Sequence, residues 1–210
     1  MGKIDVRIEL MIQFYNNFYI GGGSGTGMIH SYLLKDVNGL PYIPASTIKG
    51  YISQSAGSLV HFFPNINKEL LFGRGGTQRG ILYFENGKLI NEKEYQEMKS
   101  SLIDLKTGIS ISQYTRTNRT GQLYTMETTG QGGTMKYKSQ IQGFLSDDKY
   151  KEQIAFLVSA VRFIIAIGGK RSTGLGWLTN SIKCDVFLDD EKISAETIDK
   201  WVEEAICISN

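Results

Sequence analysis

The chain predicts an α+β fold built on a ferredoxin-like core, and three observations lead there. Ile4, Val6, Ile8, Leu10, Ile12 and Phe14 alternate with Asp5, Arg7, Glu9, Met11 and Gln13, the period-two pattern of a half-buried strand. Two later segments, one starting near Ile48 and one spanning Tyr150 to Ile167, carry apolar residues at helical spacing. Short strand-like runs lie between and after them, so the order is strand, helix, strand, strand, helix, strand. A projecting hairpin and a C-terminal helix decorate that core.

After the first strand, Asn16 to Gly27 holds Gly21, Gly22, Gly23, Gly25 and Gly27. Glycines there allow positive φ and close backbone approach, as phosphate cradles require. The segment completes neither the dinucleotide nor the Walker pattern. The stretch Leu40 to Gly50 reads Leu-Pro-Tyr-Ile-Pro-Ala-Ser-Thr-Ile-Lys-Gly. Pro41 and Pro44 make its entry extended, and Ser46 or Thr47 is expected to cap a helix whose stripe is Ile48, Tyr51, Ile52, Ser55 and Leu59. Lys49 lies in its first turn, where free N–H groups, hydroxyls and an ammonium suit a phosphate.

Phe62 to Gly80 reads as a mobile loop carrying Arg74 and Arg79. Ile81 to Ile90 is expected to be a strand that turns at Asn86-Gly87, a hairpin-type dipeptide. A polar helix is expected over Glu92 to Leu105 and a strand over Gly108 to Tyr114. Residues 115–145 hold many hydroxyls with Arg116, Arg119, Lys136 and Lys138, and predict a projecting β-hairpin. The helix Tyr150 to Ile167 stops at Gly168-Gly169. Lys170, Arg171 and Ser172 follow in a glycine-shaped loop before a strand over Trp177 to Leu188. Ser194 caps a last helix with Ile198, Trp201, Val202, Ala205 and Ile206 on one face.

With 210 residues, 41% of them hydrophobic, the chain is expected to be one large domain or a core with an inserted lobe, with enough apolar residues to bury a proper core. Its net charge of +2 means that any basic surface must come from clustering. Cys184 and Cys207 lie in apolar contexts that fit a reducing compartment, and no run approaches the ~20 apolar residues of a membrane span. A soluble, cytoplasmic protein is expected. His30 and His61 form no local triad spacing, and cysteines and histidines fall at no zinc spacing.

The Gly-rich turn after the first strand, Leu-Pro-Tyr-Ile-Pro-x-Ser-x-x-Lys-Gly, Leu71-Phe72-Gly73, Gly80-Ile81-Leu82-Tyr83-Phe84 and the loop Gly168 to Gly176 occur in that order. In this they resemble the RAMP superfamily of CRISPR-associated proteins, and most closely the small backbone subunit that coats guide RNA in type III effector complexes. The resemblance covers nearly the whole chain. It implies a ferredoxin-like (RRM-like) palm over residues 1–210, with 115–145 as a thumb-like insertion. It also implies guide-RNA contacts from Gly21, Gly22, Gly23, Ser24, Ser46, Thr47, Lys49, Arg74, Arg79, Arg116, Arg119, Lys170, Arg171 and Ser172. The implied partners are guide RNA, complementary target RNA, head-to-tail copies of the chain and other CRISPR effector subunits, with no membrane. No cofactor is implied, and a divalent metal only if the chain cleaves.

Family members that cut target RNA carry an aspartate six residues before a second acid, between the Gly-rich turn and the Leu-Pro-Tyr-Ile-Pro segment. Counting back from Asp36 lands on His30. Three readings follow. In the first, the chain is a guide-coating subunit with little or no cleavage. In the second, it is a metal-dependent endoribonuclease of the same fold using His30 or Asp36. In the third, it is an α+β domain whose glycines only shape loops and which binds no RNA. Salt-sensitive binding separates the third from the others.

Overall fold

The computed structural model describes residues 2–25, 28–90, 92–97, 101–111, 114, 116, 118–130 and 135–207. The chain runs β1 (Lys3–Gln13), β2 (Gly21–Ser24), β3 (Ser31–Leu33), α1 (Ala45–Leu59), α2 (Lys68–Phe72), β4 (Gly73–Arg74), β5 (Gln78–Arg79), β6 (Leu82–Phe84) and β7 (Lys88–Leu89). It continues through α3 (Glu92–Glu97), β8 (Ile103–Ile111), β9 (Asn118–Thr129), β10 (Lys136–Ser146), α4 (Tyr150–Arg162), β11 (Lys183–Leu188), β12 (Glu191–Ile193) and α5 (Ala195–Cys207).

The main sheet has the order β12-β11-β1-β10-β6, antiparallel throughout, with β7 also on β10. Without β12, that is the ferredoxin-like arrangement, with the first and third core strands in the middle. Alternation in β1 sends Val6, Ile8, Leu10 and Ile12 into the core. There they meet Ile48, Ile52 and Ala56 of α1 and Ile154, Leu157, Val158 and Val161 of α4. Helix α5 closes the far side of α4 with Ile198, and Trp201 meets Tyr150 edge to face at 5.8 Å. Ser194 caps it as expected, its Oγ accepting from the Thr197 N–H at 3.2 Å.

The opposite face of β1 is neutralised within the sheet. Arg7 pairs with Glu9 at 2.7 Å and with Asp190 at 3.3 Å, and Lys138 reaches Glu9 at 2.9 Å. A second, four-stranded sheet, β2-β3-β9-β8, adjoins the core, Ile103 of β8 packing against it and Thr129 of β9 bonding Phe18.

Several sequence expectations are corrected by partners distant in sequence. Helix α1 begins at Ala45, one residue before Ser46, and neither Ser46 nor Thr47 caps it. Pro44 occupies the N-cap with no side-chain acceptor to offer, and Asn86 supplies one instead, its Oδ1 accepting from the Ala45 N–H at 2.8 Å. Asn86-Gly87 makes no hairpin. Strands β6 and β7 both run antiparallel along β10, and between them Gly87 bulges out to exchange two backbone bonds with Ile43, at 2.7 and 2.9 Å. The proline-bounded segment thus serves as the partner that a local turn would have replaced.

Asn86→Ala is therefore expected to cost about 1 kcal/mol, the usual worth of a helix cap. Asn86→Asp keeps the acceptor and adds a charge that suits a helix N-terminus. Urea unfolding checks this: equal midpoints for wild type and Asn86→Ala would refute the capping role.

The expected loop over Phe62 to Gly80 contains α2 and the β4–β5 hairpin, and Leu71-Phe72 is core. Of the expected polar helix over Glu92 to Leu105, the described residues show α3, and its last part is instead strand, because β8 already starts at Ile103. The hairpin consists of β8 and β9, whereas residues 136–145, which the sequence placed in it, belong to the core strand β10, paired along all of β1. Tyr137, Ile141 and Leu145 face the same core as β1, so burial overrides the polar look of Lys136 and Lys138. Helix α4 ends at Arg162, five residues early, because 164–167 pair with the return segment: Ile167 N–H bonds Gly176 O and Ile165 O accepts from Leu178 N–H.

Candidate nucleic-acid interface

Two glycine-rich segments more than a hundred residues apart are stitched together. Asn16 holds the end of the second, its Nδ2 donating to Gly174 O and its Oδ1 accepting from the Trp177 N–H. Gly176 N–H bonds Asn17 O at 2.9 Å, and Gly169 N–H bonds Tyr19 O at 2.8 Å. The start of this strip is anchored by Phe14 and Phe18, stacked at 4.1 Å and both set edge-on to buried Tyr137. Gly168 has φ +109 and lies so close to Tyr19 that a Cβ would stand 2.5 Å from Tyr19 O.

Helix α1 joins the same turn through Tyr51. Its hydroxyl donates to Gly168 O at 2.8 Å and accepts from Gly168 N–H at 3.0 Å. One side chain thus grips both ends of a residue at the start of the loop.

The cations lie just beyond. Lys170 is held in the left-handed region at φ 59, a costly conformation for a residue with a side chain. Its ammonium lies 5.2 Å from the Tyr124 ring centre, and the Arg171 guanidinium lies 5.4 Å from that of Tyr51. Lys106 on β8 donates to Thr173 O at 3.2 Å. Tyr124 lies over Gly108 of the paired strand, where a Cβ would come within 2.3 Å of the ring. Among the described residues, Lys106, Lys170 and Arg171 make no ion pair, nor do Lys49, Arg74 and Arg79, whereas Arg7, Lys35, Lys138, Arg162 and Lys192 do.

The remaining nominated residues divide into groups. Gly21, Gly22, Gly23 and Ser24 form exposed β2, whose approach Tyr19 links to the loop, and Ser172 is exposed in the 3-10 turn that Lys170 opens. Lys49 does not share the Lys170 surface in direct contact. It is two residues from Tyr51, about 200° around the helix, and sits with Ser46 and Arg79 in a separate 220 Å³ pocket, its ammonium 6.0 Å from the Phe84 ring. Thr47 is half-buried beside it in the first turn. Arg74 is exposed on the β4–β5 hairpin, and Arg116 is exposed near the β8–β9 tip at φ 53. The backbone of Arg119 lies in β9, and its side chain falls outside the described residues.

His30 is exposed and pinned to β9. Its N–H bonds Thr125 O at 2.8 Å, its carbonyl accepts from Gly25 N–H, and its Nδ1 accepts from the Thr125 N–H at 3.2 Å. That last bond occupies the Nδ1 lone pair and leaves the proton on Nε2. Asp36 shapes a turn: its Oδ1 accepts from the N–H groups of Asn38 at 2.8 Å and Leu40 at 2.9 Å. Glu127, which the sequence did not single out, is a buried carboxylate that accepts from Leu33 N–H and pairs with Lys35 at 2.9 Å, fastening β3 to β9.

Burial pushes the Cys184 thiol up to about 12, so it stays protonated and is no nucleophile at neutral pH. Among the described residues, no group of three or more His, Cys, Asp or Glu side chains is placed to hold a metal ion. No described helix is long and apolar enough to cross a membrane.

Sequence reasoning missed Tyr51, Lys106 and Tyr124 as parts of this site. Tyr51 read as one more member of an apolar stripe, and Lys106 followed directly on what looked like helix. Strand alternation over 103–111, with Lys106 facing opposite to Leu105, was the signal that could have found it.

A RAMP superfamily model matches residues 13–179, a span that takes in both glycine-rich segments, α1 and the loop they share. The chain belongs to the RAMP superfamily. Among solved structures, a chain of the type III-B Cmr-β complex bound to cognate target RNA superposes on this RAMP protein with a TM-score of 0.64. The two are 14% identical, over 85% of this chain and 96% of that chain. A chain of the apo state of type III-B Cmr-β gives a TM-score of 0.62 at the same identity and coverage. At that identity the likeness speaks for the RAMP fold alone. No curated protein matches the sequence significantly.

Proposed function

We propose that this RAMP protein is a guide-RNA-binding backbone subunit of a type III CRISPR effector complex, one that cleaves target RNA little or not at all. The observation that carries the reading is the gathering of Lys106, Lys170 and Arg171, none ion-paired among the described residues, around a turn clamped by Tyr19 and Tyr51. Arg7, Lys138 and Lys192 on the main sheet are ion-paired, so it is the gathering of three cations at one turn, rather than the lack of a pair alone, that marks this place. Cations without acid partners beside tyrosine rings suit a sugar-phosphate strand, the phosphates meeting the ammonium and guanidinium groups and the rings meeting the bases. Family membership and the resemblance to the type III-B chains support the same assignment.

In this reading the chain associates head to tail along the guide. Such an interface does not close on itself, so the guide length sets the length of the filament. The β8–β9 hairpin projects toward the next copy. His30 stands at the family's aspartate position with Nδ1 already accepting a hydrogen bond, which favours a scaffold over a nuclease.

The test is expression of the full chain and extraction of whatever copurifies. RNA of defined lengths, released by raised salt, is the expected result. A protein free of nucleic acid that also ignores added single-stranded RNA at low salt would overturn the proposal and leave an α+β domain that binds no RNA.

A further inference from the structure

Beside the cation loop lies an open groove of about 460 Å³, between the Tyr51 flank of α1 and the segment that follows α4. Helix α4 stops at Arg162, and the next residues alternate: Ile164 and Ala166 are buried, while Phe163 and Ile165 are left 57% and 64% exposed. The alternation is enforced, because Ile165 and Ile167 are bonded to Leu178 and Gly176 and Ala166 bridges Trp177. Two large apolar side chains are therefore held outward on a fixed backbone, so covering them costs little further ordering. Gln54 and Ser55 of α1 add polar groups to the same groove, and Arg171 forms its boundary with the cation loop.

We propose that this groove takes a nucleobase of the bound strand, with Phe163 and Ile165 as its apolar platform and Gln54 and Ser55 facing the base edges. The inference rests on the RNA-binding reading above and adds a place for a base to its phosphate site. A base, rather than a protein segment, is the occupant because Arg171 lines both sites. A strand whose phosphates meet Lys170 and Arg171 brings its bases to the next cavity along. The volume falls in the range of small-molecule pockets, about 300–1,000 Å³. A platform of this kind takes any base, since each offers a π-face.

The test compares wild type with Phe163→Ala/Ile165→Ser for binding to single-stranded RNA at several salt concentrations. The double variant is expected to bind roughly five- to 150-fold more weakly, the effect of losing one stacked base, with its salt slope unchanged because no phosphate contact is removed. Matching circular-dichroism spectra and urea midpoints of the double variant and wild type serve as the folding control. Wild type is expected to disfavour RNA carrying abasic sites, and the double variant to lose that preference. Equal affinity of wild type and double variant, or a preference for intact bases that survives in the variant, overturns the groove assignment while leaving RNA binding in place. If the double variant binds RNA normally but no longer joins other subunits, the groove is a protein contact and the proposal falls. If wild type binds no RNA at any salt, the underlying reading fails first and the groove assignment fails with it.

Discussion

Lys170→Ala/Arg171→Ala is expected to weaken binding to single-stranded RNA by roughly 25-fold at 0.1 M salt and to flatten the salt dependence by about 1.4 in slope. Each phosphate neutralised on a single strand contributes about 0.7 to that slope, and two cations with no acid partner among the described residues face solvent here. The effect differs from that of an apolar loss, which moves affinity without slope. Lys49→Ala should add to Lys170→Ala independently on a logarithmic scale, because Lys49 lies in its own pocket with Arg79 and Phe84. An unchanged slope in the Lys170/Arg171 variant would remove the loop from the guide-phosphate surface. Fluorescence anisotropy at four or five salt concentrations is enough to decide it.

The second large effect is a gain of activity. Wild type, assembled on guide and given complementary RNA with a divalent metal, is expected to cut poorly or not at all. Two features of His30 account for this. Its Nδ1 accepts from the Thr125 backbone, so that nitrogen is not free to take a proton, and the nearest acid in the chain's own loop, Asp36, spends Oδ1 on two backbone N–H groups of its turn. His30→Asp restores a carboxylate on a backbone held by two bonds and is expected to raise cutting by about 10²-fold, the lower end of what a positioned acid or base contributes. Cuts should then recur at regular intervals along the target. Efficient cutting by wild type that His30→Ala abolishes would make the histidine a catalytic substitute and reverse the reading. Silence from both wild type and His30→Asp would mean that the loop differs from the family geometry by more than one residue, and the chain would stand as a scaffold.

Local patterns settled much of the architecture. The alternation from Ile4 to Phe14 predicted β1 to within a residue at either end, because both faces of that strand obey one rule along its whole length. The Ser194 cap and the apolar face of α5 were equally legible, since a capping hydroxyl and the helix it starts lie within one turn. The same holds for the apolar content of α4 and for the order of core elements from which the ferredoxin-like fold follows.

What the sequence left open depended on partners brought from far along the chain. Asn86-Gly87 carries a hairpin signal, yet Ile43 and β10 offered backbone bonds that the dipeptide alone could not anticipate. Ser46 looked like a cap, but the Ala45 N–H is met by Asn86, a side chain forty-one residues further on. The 115–145 segment looked uniformly polar, but only its first part belongs to the β8–β9 hairpin, because burial beside β1 claimed the rest. The site shows the division most clearly. Its glycines and its two adjacent cations were visible as motifs, whereas Tyr51, Lys106 and Tyr124 carried no local mark. Each acquires its role by touching residues 168–173 across 46 to 117 positions of chain. Sequence periodicity reports which face of an element is buried. Only the packed structure decides which elements meet, and here that meeting places unpaired charge, aromatic ring and clamped turn in one location.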